Sequence, residues 1–272
     1  MQRPETGGGV DTREKFLLTA ERLFGERGIN GVSLREISRA VGQRNPSALQ
    51  YHFGSRDALI EAILAKRMGV LDKQRHAFLE ALARNDGDVG VRAIVRAIKQ
   101  PLIDLLQAED GPVQYLHFLV EVYLSDEIDV HELVSDKYDA GLRLGYRLYR
   151  QALPDLPEPI ARQRYRWLVR SGPFLFADLH GTIKRRCKTG RRFDIERALE
   201  STIDMLVGAL TAPVSEETKT RLAASTQHEQ RKEDPNERER DSGEADRRRA
   251  RRRDSRRRHG EAARQPDLQG DS

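Results

Sequence analysis

The sequence predicts an all-α protein, with a small amino-terminal three-helix domain and a larger helical domain behind it. Apolar residues recur at three- and four-residue spacing from Phe16 to Leu210, and helix caps and glycine stops fall between these runs. There is no strand alternation and no internal repeat.

The first helix is expected behind Asp11, which with Glu14 three residues on can form a capping box. Its stripe is Phe16, Leu17, Ala20, Leu23 and Phe24, and Gly28 stops it. Ser33 and Glu36 make a second capping box, so another helix begins at Leu34, carries Leu34, Ile37 and Val41 inward, and ends at Gly42. Asn45 caps a third helix with Pro46 at its first position, where a missing N–H costs nothing. Leu49 and Phe53 face inward, leaving Ser47, Ala48, Gln50, Tyr51 and His52 to point elsewhere. Gly54 ends that helix and Ser55 caps the next. Two short helices joined by a glycine-containing turn of about three residues form the layout of a DNA-reading helix-turn-helix.

From Ser55 a long connecting helix carries Leu59, Ile60, Ile63, Leu64, Leu71, Phe78, Leu79 and Leu82 until Asn85, Gly87 and Gly90 interrupt the pattern. Further helices are expected over Val91–Leu106, with Pro101 as a kink, after Gly111-Pro112, over Val130–Leu153, over Ile160–Cys187 with a second kink at Gly172-Pro173, and over Asp194–Leu210. This gives an arm at 1–10, a DNA-binding domain at 11–58, a second helical domain at 59–224 and a tail at 225–272. The tail alternates acid and base, then becomes arginine-rich from Arg247 to His259. With almost nothing apolar to offset chain entropy, it is expected to be disordered.

At 272 residues the chain has room for two domains, while charged residues make up 33% and mean hydropathy is −0.70. No apolar run is long enough to span a membrane, and MQRPETGGGV lacks a signal-peptide core, so a cytoplasmic protein is expected. A single cysteine, Cys187, precludes an internal disulfide and a cysteine-based zinc site. The net charge of +5 suits a polyanionic partner and equally fits many soluble proteins.

The residues Ala20-Glu21-Arg22-Leu23-Phe24, Gly28, Ser33-Leu34-Arg35-Glu36-Ile37, Val41-Gly42 and Tyr51-His52-Phe53 through Leu59 resemble the amino-terminal domain of TetR family repressors. Between Gly42 and Tyr51 the chain has one residue more than the common family pattern, within Gln43-Arg44-Asn45-Pro46. Side-chain chemistry suggests that Arg44 reaches a phosphate or takes guanine bidentately, that Gln50 pairs with adenine, and that Ser47 and Ala48 let the helix sit deep. Asn45 lies in the same reading segment. The resemblance implies backbone contacts for Tyr51, His52 and Arg56. The Ser33 cap exposes helix N–H groups that can hold a further phosphate.

The resemblance also implies a homodimer on a palindromic double-stranded operator, paired through the last two long helices, and a second domain that binds a small apolar or aromatic effector to relieve repression. Dimer candidates are Leu175, Leu179, Ile183, Ile195, Leu199, Ile203 and Leu206, with Gly172 and Gly181 allowing close approach. The same stripes could instead fill the domain's own core. Effector candidates are Phe78, Tyr115, Phe118, Leu119, Tyr123, Tyr138, Trp167, Phe174 and Phe176, with His117, His131 or His180 as polar contacts. Aromatic residues on apolar helix faces also serve as core filler.

Neither His117 with Glu121 nor Asp178 with His180 is a full ligand or acid–base set, and no catalytic motif is present, so neither enzyme activity nor a cofactor or metal is expected. Cys187, among Lys184, Arg185, Arg186 and Lys188, is either a redox sensor or a surface thiol of no function. The arginine cluster either raises non-specific DNA affinity or is neutralised by the acidic residues from Glu229 to Asp246. An alternative function is therefore a non-specific nucleic-acid-associated protein driven by the tail.

Overall fold

The structure, a computed structural model, describes residues 8–43, 47–84, 89–108, 113–126, 128–130 and 137–233, with the backbone alone at 8–11 and 226–233. All of its regular elements among those residues are helices: α1 (Gly8–Arg27), α2 (Leu34–Ala40), α3 (Ser47–Phe53), α4 (Arg56–Ala83), α5 (Val91–Gln107), α6 (Gln114–Leu124), α7 (Ala140–Ala152), α8 (Glu158–Lys188), α9 (Ile195–Thr211) and α10 (Glu216–Glu233). The chain divides after Ala212 into two compact units.

In the head, Phe16, Phe24, Ile37, Leu49 and Leu59 are fully buried and Phe53 nearly so, which joins α1, α2, α3 and the start of α4 around one core. The rings of Phe16 and Phe53 meet edge to face at 6.4 Å. The Ser33 capping box forms as expected. Gly42 and Gly54 sit at φ of 80° and 75°, where a side chain would be strained, and there α2 and α3 end. Ser55 caps α4 by accepting the Ala58 N–H at 3.1 Å. The expected start of α1 is corrected. The helix runs from Gly8, so Asp11 lies within it, and Glu14 pairs with Lys66 of α4 instead of closing a capping box.

The head is fastened to the rest of the first unit along α1. Phe24 stacks on Phe118 of α6 at 6.3 Å, and the buried Glu21 holds Arg67 of α4 through two hydrogen bonds of 2.7 and 2.8 Å. A paired, bidentate geometry of this kind lets a carboxylate be buried. The 28-residue α4 spans about 42 Å at roughly 1.5 Å per residue and belongs to both parts, its first turn in the head and its middle in the second bundle.

Behind it, α5 lies against α4, α7, α8 and α9, burying Ile94, Val95, Ile98 and Leu102. Pro101 and Pro173 are accommodated inside α5 and α8, each of which remains a single helix. The expected helix over Val130–Leu153 is corrected: Lys137–Asp139 are non-helical, and α7 begins at Ala140. The boundary expected at Ser225 falls inside α10, which spans Glu216–Glu233, with Ser215 accepting the Thr218 N–H and Glu216 and Glu217 in the first turn. A run rich in Glu, Lys, Ala and Arg has the propensity to stay helical without an apolar face. Most of the arginine-rich tail, including Arg247 to His259, lies outside the described residues.

The dimer stripe is corrected in part. Leu199, Ile203 and Leu206 are buried in the protomer's own core, and Leu175, Leu179, Ile183 and Ile195 are half-buried against it. Gly172 serves packing within the protomer as well, since a Cβ there would stand 2.8 Å from Nζ of Lys99 and 2.9 Å from Leu102.

Candidate nucleic-acid interface and regulatory cleft

Burial of Leu49 and Phe53 fixes how α3 is rotated, and the opposite face therefore carries Ser47, Gln50 and Tyr51 outward, with Tyr51 88% exposed. Ala48 is half-buried. His52 is half-buried as well, its ring 5.9 Å from that of Phe16, so it borders the head's core as much as the outer surface. Arg44 and Asn45 lie outside the described residues.

Two expected backbone contacts prove to be engaged within the head. The Arg56 guanidinium donates to the Val32 carbonyl at 3.0 Å and to Asn30 Oδ1 at 3.4 Å, bracing the turn between α1 and α2. At Ser33, the backbone N–H and hydroxyl both donate to Glu36 Oε2, at 2.9 and 2.8 Å, so the polar groups of this residue are bonded within the capping box. The Ser33 N–H, the Arg27 guanidinium 2.7 Å away and the Ser33 hydroxyl hold the Glu36 carboxyl down at about 2. Sequence reasoning missed Arg35 and Arg39, exposed one turn apart on α2. Their i, i+4 spacing on the first helix of the motif was the available signal.

In the second bundle, α4, α6, α7 and α8 enclose an open cleft of about 1050 Å³. Of the expected effector residues, Leu119, Tyr123 and Tyr138 line it. The rest are corrected: Tyr115, Phe118 and Phe176 are fully buried core residues, whereas Phe78, Trp167 and Phe174 are exposed. His117 and His180 face each other across α6 and α8 with ring nitrogens 3.1 Å apart, and His131 lies outside the described residues. Unforeseen were the arginines on the cleft wall, spaced at four as Arg143 and Arg147 on α7 and as Arg162, Arg166 and Arg170 on α8, with Arg75 of α4 beside them. Their four-residue periodicity is plain in the sequence, but it does not by itself distinguish a cleft wall from a solvated helix face.

Cys187 is exposed. Among the described residues, no cluster of three or more His, Cys, Asp or Glu could hold a metal ion, and no helix is long and apolar enough to cross a membrane.

A trihelical head with an outward α3 on a larger helical bundle defines a helix-turn-helix transcriptional regulator. The model of the "Bacterial regulatory proteins, tetR family" matches residues 16–63, and that of the "Tetracyclin repressor-like, C-terminal domain" matches residues 96–234. The chain belongs to the TetR family of bacterial regulatory proteins. The "Probable HTH-type transcriptional regulator YttP" of Bacillus subtilis (strain 168) is 24% identical over 126 residues, 46% of this chain and 57% of that protein. The match thus spans little over half the length of this curated relative. Among solved structures, a mutant of HlyIIR is 16% identical with a TM-score of 0.48, covering 76% of this chain and all of that one. AmtR of Mycobacterium smegmatis is 18% identical with a TM-score of 0.43, covering 82% of this chain and 97% of that one. With both family models falling on the helical part, a protein driven by its tail is not favoured.

Proposed function

We propose that the chain is a cytoplasmic, ligand-relieved repressor that binds a palindromic operator as a homodimer. The observation that carries this is the outward face of α3, where Gln50 and Tyr51 are exposed on a helix fixed from behind by Leu49 and Phe53. Gln50 is the residue proposed to read a base, with Ser47 and Ala48 allowing close approach and Arg44 and Asn45 completing the reading segment. Tyr51, Arg35 and Arg39 would hold phosphates. A second copy would pair through α8 and α9, using Trp167, Phe174 and Met205, which are large apolar side chains left exposed there. Two heads would then read half-sites about 34–36 Å apart or a multiple of that.

Relief follows from α4. It begins at Arg56 in the head and passes along the cleft at Met68, Leu71 and Arg75. A ligand that prefers one position of this helix would shift the spacing of the two heads and so the affinity for DNA. Selection of genomic fragments by the purified protein, followed by footprinting, tests the reading. A protected palindrome supports it, while uniform retention of all fragments would overturn it.

A further inference from the structure

The cleft has a chemistry of its own, and the following inference rests on the reading of it as the effector site. Six arginines line it against three aspartates, Asp126, Asp129 and Asp139, and four tyrosines share the wall. The floor is the least screened part. Arg75 is only 7% exposed, donates from Nε to the Ile98 carbonyl at 3.2 Å, and has Asp72 Oδ1 at 3.7 Å from Nη1. That same Asp72 oxygen accepts the Gly141 N–H at 3.0 Å, so it is shared between two donors. A second buried basic group, Lys99, lies close by, and burial first and then the Arg75 charge lower its pKa to about 7. Positive charge at this depth is weakly screened by solvent.

A second arginine converges on the same place. Arg170 lies over the Tyr123 ring with its guanidinium 5.5 Å from the ring centre, and Arg75 and Arg170 both act electrostatically on the Tyr123 hydroxyl. Tyr165 presents its ring to the cleft while its hydroxyl is spent on the Leu142 carbonyl at 2.7 Å, and Val169 and Leu119 complete an apolar wall. The result is a cationic end joined to an aromatic and aliphatic surface, in a volume that suits a drug-sized organic molecule.

We infer that the effector is an organic anion, with its carboxylate, sulfonate or phosphate group held by Arg75 and Arg170 and its apolar or aromatic body laid against Tyr123, Tyr165 and Val169. The charge-assisted, bidentate geometry open to guanidinium is what gives the anion its advantage over a neutral molecule of the same shape. Binding there would also act on α4 directly, because Arg75 is part of that helix.

Two dyes with nearly the same body separate charge from shape: 8-anilinonaphthalene-1-sulfonate and the neutral N-phenyl-1-naphthylamine. Fluorescence titration of the full chain should show the sulfonate binding about tenfold or more tightly than the neutral dye. Arg170→Met, which changes an exposed side chain, and Arg75→Met should each weaken the sulfonate about tenfold and leave the neutral dye nearly unchanged, with helicity checked by circular dichroism. Equal affinity for the two dyes, or undiminished sulfonate binding by a folded Arg170→Met, would overturn the inference. Release of operator DNA is measured separately by fluorescence polarisation. Arginine-dependent sulfonate binding without release supports the anion site and counts against ligand relief. Release by the neutral dye alone overturns the anion site and leaves ligand relief standing.

Discussion

Gly25 on α1 lies so close to α6 that a methyl group on its Cα would stand 2.7 Å from the Gln114 carbonyl oxygen and 3.1 Å from the Phe118 nitrogen. Both neighbours are backbone, which cannot swing aside as a side-chain tip can. Gly25→Ala should therefore force α1 off α6 and destabilise the protein by roughly 1–3 kcal/mol, despite the better helix propensity of alanine. The urea midpoint checks this, and a midpoint unchanged or raised would mean that the two helices do not meet as described.

Lys99 is buried, with its ammonium donating to the Leu168 carbonyl, and burial together with the Arg75 charge lowers its pKa from 10.5 to about 7. A cation whose pKa falls on folding is a liability below its unfolded pKa, so this group's contribution to stability improves as pH rises from about 7 to 10.5. The Leu168 carbonyl also accepts the Ser171 hydroxyl at 2.9 Å, so removing the lysine does not orphan it. Lys99→Met is expected to stabilise the fold by about 1–4 kcal/mol at neutral pH, with less gain at pH values of about 9 or above. Urea unfolding of both proteins at the two pH values measures the difference, and a less stable variant at neutral pH would show that the lysine is a net support.

The head was readable in the sequence because its punctuation is local. Ser33 and Glu36, Gly42, Gly54 and Ser55 each act within a few residues, and all take the expected roles. Facing partners could not be read in that way. The stripe on α9 has the same spacing whether Leu199, Ile203 and Leu206 meet α5 and α8 of their own chain or another copy, and the protomer's core takes them. Aromatic content likewise does not distinguish Tyr115, sealed in the core, from Tyr123, on the cleft wall. The arginine contacts of the head were hidden for a related reason: Arg56 meets Val32 across a tertiary contact that no local pattern encodes.

The pair His117 and His180 makes the contact of α6 with α8 sensitive to acid. Burial lowers both pKa values, followed for His117 by the charge of Lys184 and for His180 by those of His117 and Lys184, while Glu121 works in the opposite direction on His117. The folded state thus takes up protons less readily than the unfolded chain, and the stability this pair contributes is fully present above 6.5 and lost as pH falls below it. The double variant His117→Gln/His180→Gln should flatten the loss of stability as pH falls below that value. Thermal midpoints across this range provide the check, and parallel curves for wild type and variant would remove the pair from the account.

The internal bonds of Arg56 separate support from recognition within the head. Because its guanidinium braces the turn at Asn30 and Val32, Arg56→Ala should lower the thermal midpoint and weaken all DNA sequences alike. Exposed Gln50 makes no such contribution, so Gln50→Ala should leave the midpoint alone and cost about 1–3 kcal/mol at one base pair of the half-site. Arg35→Ala and Arg39→Ala should instead reduce the salt dependence of binding by about one unit of slope each, with base preference unchanged. Binding to an operator series varied one base pair at a time, repeated at several salt concentrations, distinguishes the three behaviours. Intact base preference in Gln50→Ala would place sequence reading elsewhere on the head, with the segment around Arg44 as the next residues to substitute.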